Sequence, residues 1–210
     1  MADQDAGPPL SLAQKAGHRR ADATGGAAGN ERLTAITGAV LLVLFAAEGV
    51  TILALHRLLT LHFFLGMLLV GPVALKVATT GYRFVRYYTG AGPYLRKGPP
   101  ALVMRVLGPL VVITSLAVLA TGVALAVAGP GRGQWLFLHK ASFVLWFGAM
   151  TIHVLVYAPR LPRLLAREPA GRRAANVLSG AAARWLLLAA SLACGLLLAG
   201  LTLHLTARWA

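Results

Sequence analysis

Three histidines in the apolar part of this 210-residue chain have the spacing needed to hold metal-bearing rings. His139 and His153 lie in LHKASFVLWFGAMTIHVLVYAPR, a run without an acidic residue. Their 14-residue separation rises about 21 Å on a helix and falls about 40° short of four turns, so both rings face one side at two heights. Each suits one axial position of a haem iron, and a second helix must supply the other ligand. The stretch LHFFLGMLLVGPVALKVATTGYR sets His62 at the depth of His139 on a facing helix, expected to run antiparallel to the first. Bis-histidine ligation between the two is the usual way a bundle holds a b-type haem. Fourteen residues beyond His62, where a mate for His153 should stand, the residue is Lys76.

Three arrangements around His153 remain open. A neutral Lys76 ligates iron or fills the vacated space; Lys76 snorkels to the near membrane surface and leaves His153 unpartnered; or Met104 from another span is the opposing ligand. Glu48, in LLVLFAAEGVTILALHR, is an ionisable group at membrane depth and so a candidate site residue. It either orients a ligating imidazole, accepts a proton at a quinol site, or is simply protonated or bonded to neighbouring hydroxyls. An ion pair with Lys76 is disfavoured by about 12 Å of separation along the membrane normal. Arg83 and Arg86 in TTGYRFVRYYTGAGPYLRKGPP read as an aromatic and basic belt, or as partners for haem propionates or an acidic partner. On the other side Lys140 and Arg57 are the cations available for the propionates of a haem held by His62 and His139. Gly66, Gly71 and Gly81 leave room for a porphyrin face or permit close packing. His56 and His204 read as boundary residues, and His18 falls in the N-terminal tail.

The elements that position these residues are legible in composition. Hydrophobic residues make up 58% of the chain and mean hydropathy is +0.71, too apolar for a soluble domain. Five predominantly apolar runs reach the length of about 20 residues that a spanning helix needs, at about 33–55, 58–83, 102–128, 135–157 and 183–207. The expected fold is all-α: a polytopic membrane bundle with a four-helix haem-binding core over 33–160, a basic loop and fifth span over 161–210, and a disordered tail over 1–32. Short connections make spans one and two, and three and four, antiparallel neighbours. The first span should act as an uncleaved anchor, because the tail lacks the basic-then-apolar order of a signal peptide.

The net charge of +14 divides unevenly over this topology. Fifteen Lys and Arg residues fall on the side of the N-terminus and four on the other, with Lys76 inside a span. That asymmetry predicts a cytoplasmic N-terminus and an external C-terminus, and with the charge so explained no nucleic-acid partner is expected. The single cysteine, Cys194, excludes an internal disulfide and reads as a packing residue beside Ser191 and Gly195, a small-xxx-small pair. Walker, HExxH, GxSxG and dinucleotide motifs are missing. The six acidic residues leave little material for carboxylate catalysis.

On His62 in LHFFLGMLL and His139 and His153 in LHKASFVLWFGAMTIHVL, the region 33–160 resembles the membrane cytochrome b group. That group includes bacterial cytochrome b561 and the b-type subunits of formate dehydrogenases and nickel hydrogenases. ALKVATTGYRFVRYY with its following Gly-Pro-Pro loop is also similar to an uncharacterised group of actinobacterial integral membrane proteins. The first resemblance implies a bacterial cytoplasmic-membrane protein that carries haem b and moves electrons between quinone and a partner subunit. Lys76, and the lack of a histidine near the N-terminal end of the first span, depart from it. The rival expectation is a haem-free anchor or assembly subunit, or a small proton-coupled transporter using Glu48, Lys76 and the histidines.

Overall fold

The structure, a computed structural model, describes residue 11 and residues 26–95, 102–131, 133–160 and 177–209. Among the described residues six α-helices follow in order: α1 Gly26–Ile52, α2 Leu55–Tyr88, the short α3 Gly92–Leu95, α4 Leu102–Ala128, α5 Gly133–Tyr157 and α6 Val177–Thr202. Single 3-10 turns, Ala158–Arg160 and Leu203–Trp209, follow α5 and α6. No described residue is in a strand. Five of the helices are long and apolar enough to cross a membrane, and the chain is a multi-pass membrane protein. Helix is the form this sequence must take in hydrocarbon, where no water satisfies an exposed N–H or C=O.

Helix α1 begins at Gly26, so the end of the expected tail is helical. Asn30 Nδ2 fixes that turn by donating to the Thr79 carbonyl at 3.0 Å. The remaining tail and its Lys15, His18, Arg19 and Arg20 lie outside the described residues, as do Arg96, Lys97, Arg132 and 161–176 of the basic loop. Arg32, Arg83 and Arg184 lie at one end of the bundle, where the start of α1 meets the end of α2 and the start of α6, and Arg105 lies in the first turn of α4. Arg208 marks the opposite end, donating from Nη1 to the Val127 carbonyl at 3.0 Å.

Three pairs pack closely, α1 with α2, α4 with α5, and α2 with α6, while α2 and α4 meet more loosely. The α2–α6 contact rests on a backbone device. Pro72 inside α2 has no N–H for the Leu68 carbonyl. Gly195 of α6 lies over that oxygen, so close that a Cβ there would overlap it, and a Cβ on Gly71 would overlap the Ser191 carbonyl. Ser191 and Gly195 thus make the close approach expected of them. Cys194, one position off this face, is exposed and does not pack.

The α1–α2 and α4–α5 pairs close on each other largely through side chains. Phe45 meets Trp146 at 4.7 Å between ring centroids, and Trp146 Nε1 donates to Ser115 Oγ at 3.0 Å in a buried setting. Trp146→Phe should therefore cost about 1–2 kcal/mol in thermal unfolding, and adding Ser115→Ala should cost much less than the two changes summed.

The orientation of spans two and four corrects an expectation. His62, early in α2, stands beside His139, early in α5, and Lys76 and His153 farther along are again within electrostatic reach. The two helices run parallel, as the second and fourth members of an up-down succession must. Equal 14-residue offsets keep both pairs level only in this arrangement.

Candidate functional site

His62 lies one turn past Leu58, whose φ of −110° and ψ of 16° break the start of α2. His139 lies in the second turn of α5. Their ring centroids are 6.4 Å apart and their planes 72° from parallel. Both rings are part-buried.

The hydrogen bonds fix a tautomer for each ring. Thr51 Oγ1 donates to the Glu48 carbonyl at 2.5 Å, which leaves its lone pair to accept from His62 Nδ1 at 2.8 Å. Glu48 Oε1 is also 3.1 Å from that nitrogen. His139 Nδ1 lies 3.1 Å from the Val118 carbonyl, which can only accept. The proton therefore sits on Nδ1 in both imidazoles, and each Nε2 keeps a free lone pair. Neither Nε2 has a hydrogen-bond partner among the described residues. This is the arrangement of a metal-binding histidine whose other nitrogen is held by its surroundings.

The spacing suits a shared metal. Metal–imidazole bonds of about 2 Å on opposite sides of one ion, with each centroid roughly one ångström behind its nitrogen, put the centroids about 6 Å apart. Small residues make the room. A Cβ on Gly66 would come within 3.4 Å of Glu48 Oε1, and one on Gly122 within 3.0 Å of His139 Cε1. A hydroxyl chain braces His139: Thr121 Oγ1 lies 3.3 Å from its Nδ1 and 3.0 Å from Ser142 Oγ, and Ser142 Oγ donates to the His139 carbonyl. The second oxygen of Glu48, Oε2, is buried without a partner.

Of the expected residues, the structure brings His62, His139 and Glu48 together. Glu48 lies against His62, its Oε1 3.1 Å from Nδ1, the placement that the orienting role requires. Lys76 belongs elsewhere. Its Nζ donates to the Thr34 carbonyl of α1 at 2.6 Å in a part-buried setting and lies against Gly38. His153 stacks on Tyr157 at 4.8 Å and its Nδ1 is buried without a partner. Met104 packs with Leu107 and Ala149, and Val156 joins them, within a turn of His153 on either side. Arg83 is near Tyr94 at the end of α2, and Lys140 is exposed beside His139. His204 is exposed, 2.9 Å from the Leu201 carbonyl.

Sequence reading missed Thr51, the Val118 carbonyl and the Thr121–Gly122 pair. The available signal was polar residues at i+3 from Glu48 and in the middle of an otherwise apolar α4. Among the described residues no group of three or more His, Cys, Asp or Glu side chains is placed to hold a metal ion. Compared with known protein families, curated proteins and solved structures, the chain matches none.

Proposed function

We propose that this protein is a haem b electron-transfer protein, with one haem between His62 and His139, passing electrons between the quinone pool or a redox partner and an acceptor. One observation carries the reading: two imidazoles, each held through Nδ1 by its own neighbours, lie edge-on with centroids 6.4 Å apart on helices that run parallel. A bound haem supplies reversible one-electron transfer at its iron. The remaining roles belong to the chain. Thr51 and Glu48 hold His62 in register, and Val118, Thr121 and Ser142 hold His139. The apolar spans around them exclude water and lower the local dielectric, which sets the potential.

The excess of Lys and Arg at one end orients that end to the cytoplasm, which sets the pair near the external surface of a bacterial cytoplasmic membrane. Lys140 and Arg57, exposed on that side, are the cations suited to propionates. Among the described residues no second imidazole lies opposite His153, and one haem is proposed.

The purified protein, expressed with a haem precursor, should show a b-type α-band in reduced-minus-oxidised spectra and one haem per chain. A colourless chain under those conditions refutes the reading in favour of a haem-free anchor. Glu48→Ala should keep the haem and raise its midpoint potential by roughly tens of millivolts, because an oxygen acceptor on the distal N–H makes the ligating nitrogen more electron-rich. An unchanged potential would remove Glu48 from the ligand's support. Lys76→Met should leave the α-band intact and stability within about 1 kcal/mol of wild type, since a lost hydrogen bond is offset by one fewer ammonium in hydrocarbon.

A further inference from the structure

We infer that the protein holds one phospholipid between α2 and α4, with an acyl chain lying in the groove there and its phosphate at Arg208. The loose α2–α4 contact leaves a groove of about 580 Å³, walled by Val70 and Ala74 on one side and Leu116, Ala120, Ala124 and Val127 on the other. No polar side chain lines it. Ala74, Leu116, Ala120 and Val127 are exposed, so it opens sideways to the bilayer.

Its length selects the occupant. From Leu116 to Val127 a helix rises about 16 Å, about half of a hydrocarbon core roughly 30 Å thick. A spanning helix from a partner or a second copy would need a groove through both leaflets. A chain from one leaflet fills this one from mid-membrane to its end.

The mouth carries the matching charge. The Leu203–Trp209 turn rests against both α2 and α4, pinned by buried Leu205. It sets exposed Arg208 over the groove's last residue through the bond to the Val127 carbonyl. That bond uses one guanidinium donor, and Arg208 has no other partner among the described residues. A planar fork of N–H donors at headgroup level is the chemistry that recognises a phosphodiester.

The test is native mass spectrometry of the delipidated full-length protein in detergent, titrated with palmitoyl-oleoyl phosphatidylglycerol and, separately, with palmitoyl-oleoyl glycerol. Wild type should retain one phosphatidylglycerol and bind the phosphate-free lipid about tenfold more weakly. Arg208→Ala should weaken phosphatidylglycerol about tenfold and leave the phosphate-free lipid unchanged. Ala120→Trp, which fills the groove, should weaken both lipids, while Leu186→Trp on the 69% exposed face of α6 should behave as wild type. If Ala120→Trp does not fold, the Arg208→Ala comparison decides alone. Equal phosphatidylglycerol affinity in wild type and Arg208→Ala overturns the assignment. So does a dimer that Ala120→Trp dissociates, or an isoprenoid quinone displacing the phospholipid at lower concentration.

Discussion

Gly195→Leu should detach α6 from the bundle. The leucine Cβ would occupy the space of the Leu68 carbonyl oxygen, and that overlap is with backbone, which no rotamer change relieves. Overpacking in a well-packed core costs roughly 1–3 kcal/mol, and a clash between two helix backbones belongs at or above the top of that range. The loss is compounded at Leu68, whose carbonyl lost its helical donor to Pro72 and is covered by the Gly195 backbone instead. The expected outcome is a drop in thermal unfolding temperature of several degrees in detergent, with proteolytic exposure of α6. Gly200→Leu, with open space around its Cβ position, is the control and should be near neutral. Equal stability of the two variants would mean that α6 is not seated on α2 as described.

If a haem sits between His62 and His139 as proposed, His139→Ala should remove it. One imidazole is half of the ligand set, and because loss of a mere supporting partner already costs 10–100-fold in metal affinity, loss of the ligand itself should cost at least about a hundredfold. His62→Ala should act alike, and the double variant should add little, since neither imidazole alone makes the site. His204→Ala, on an exposed ring that bonds only its own turn, should keep full haem content. Fold should survive in both ligand variants, because α2 and α5 are held by other pairs, α2–α6, α1–α2 and α4–α5. A circular-dichroism spectrum equal to wild type alongside a missing α-band separates loss of the ligand from loss of the protein.

Much of this bundle was legible in the sequence for a simple reason: hydrocarbon imposes one length and one polarity on whatever crosses it. The third span, 102–128, matches α4 residue for residue. The fourth and second were recognisable from apolar runs, although polar helix ends such as Gly133 and Gln134 are invisible to hydropathy. The 14-residue offsets of His62 to Lys76 and of His139 to His153 were also readable, because a helix turns each residue by a fixed angle. The relative direction of α2 and α5 was not read from the same rule, although the alternation of spans contains it.

What stayed hidden depends on backbone atoms. The carbonyl that fixes the His139 tautomer belongs to Val118, and the one that takes Lys76 belongs to Thr34. A carbonyl has no residue type, so no composition or motif announces it. Thr51 and Thr121 were hidden differently. A hydroxyl in a membrane helix ordinarily bonds its own preceding turn, as Thr37 does with Leu33, and only packing shows which ones reach a neighbouring ring as well.

The most direct test of the account is the low-temperature electron paramagnetic resonance spectrum of the oxidised, purified protein expressed with a haem precursor. Two imidazoles on one iron, with planes 72° apart, should give a strongly anisotropic low-spin ferric signal that disappears in both His62→Ala and His139→Ala. A chain without a haem signal, or a high-spin signal that persists unchanged in His139→Ala, would contradict it.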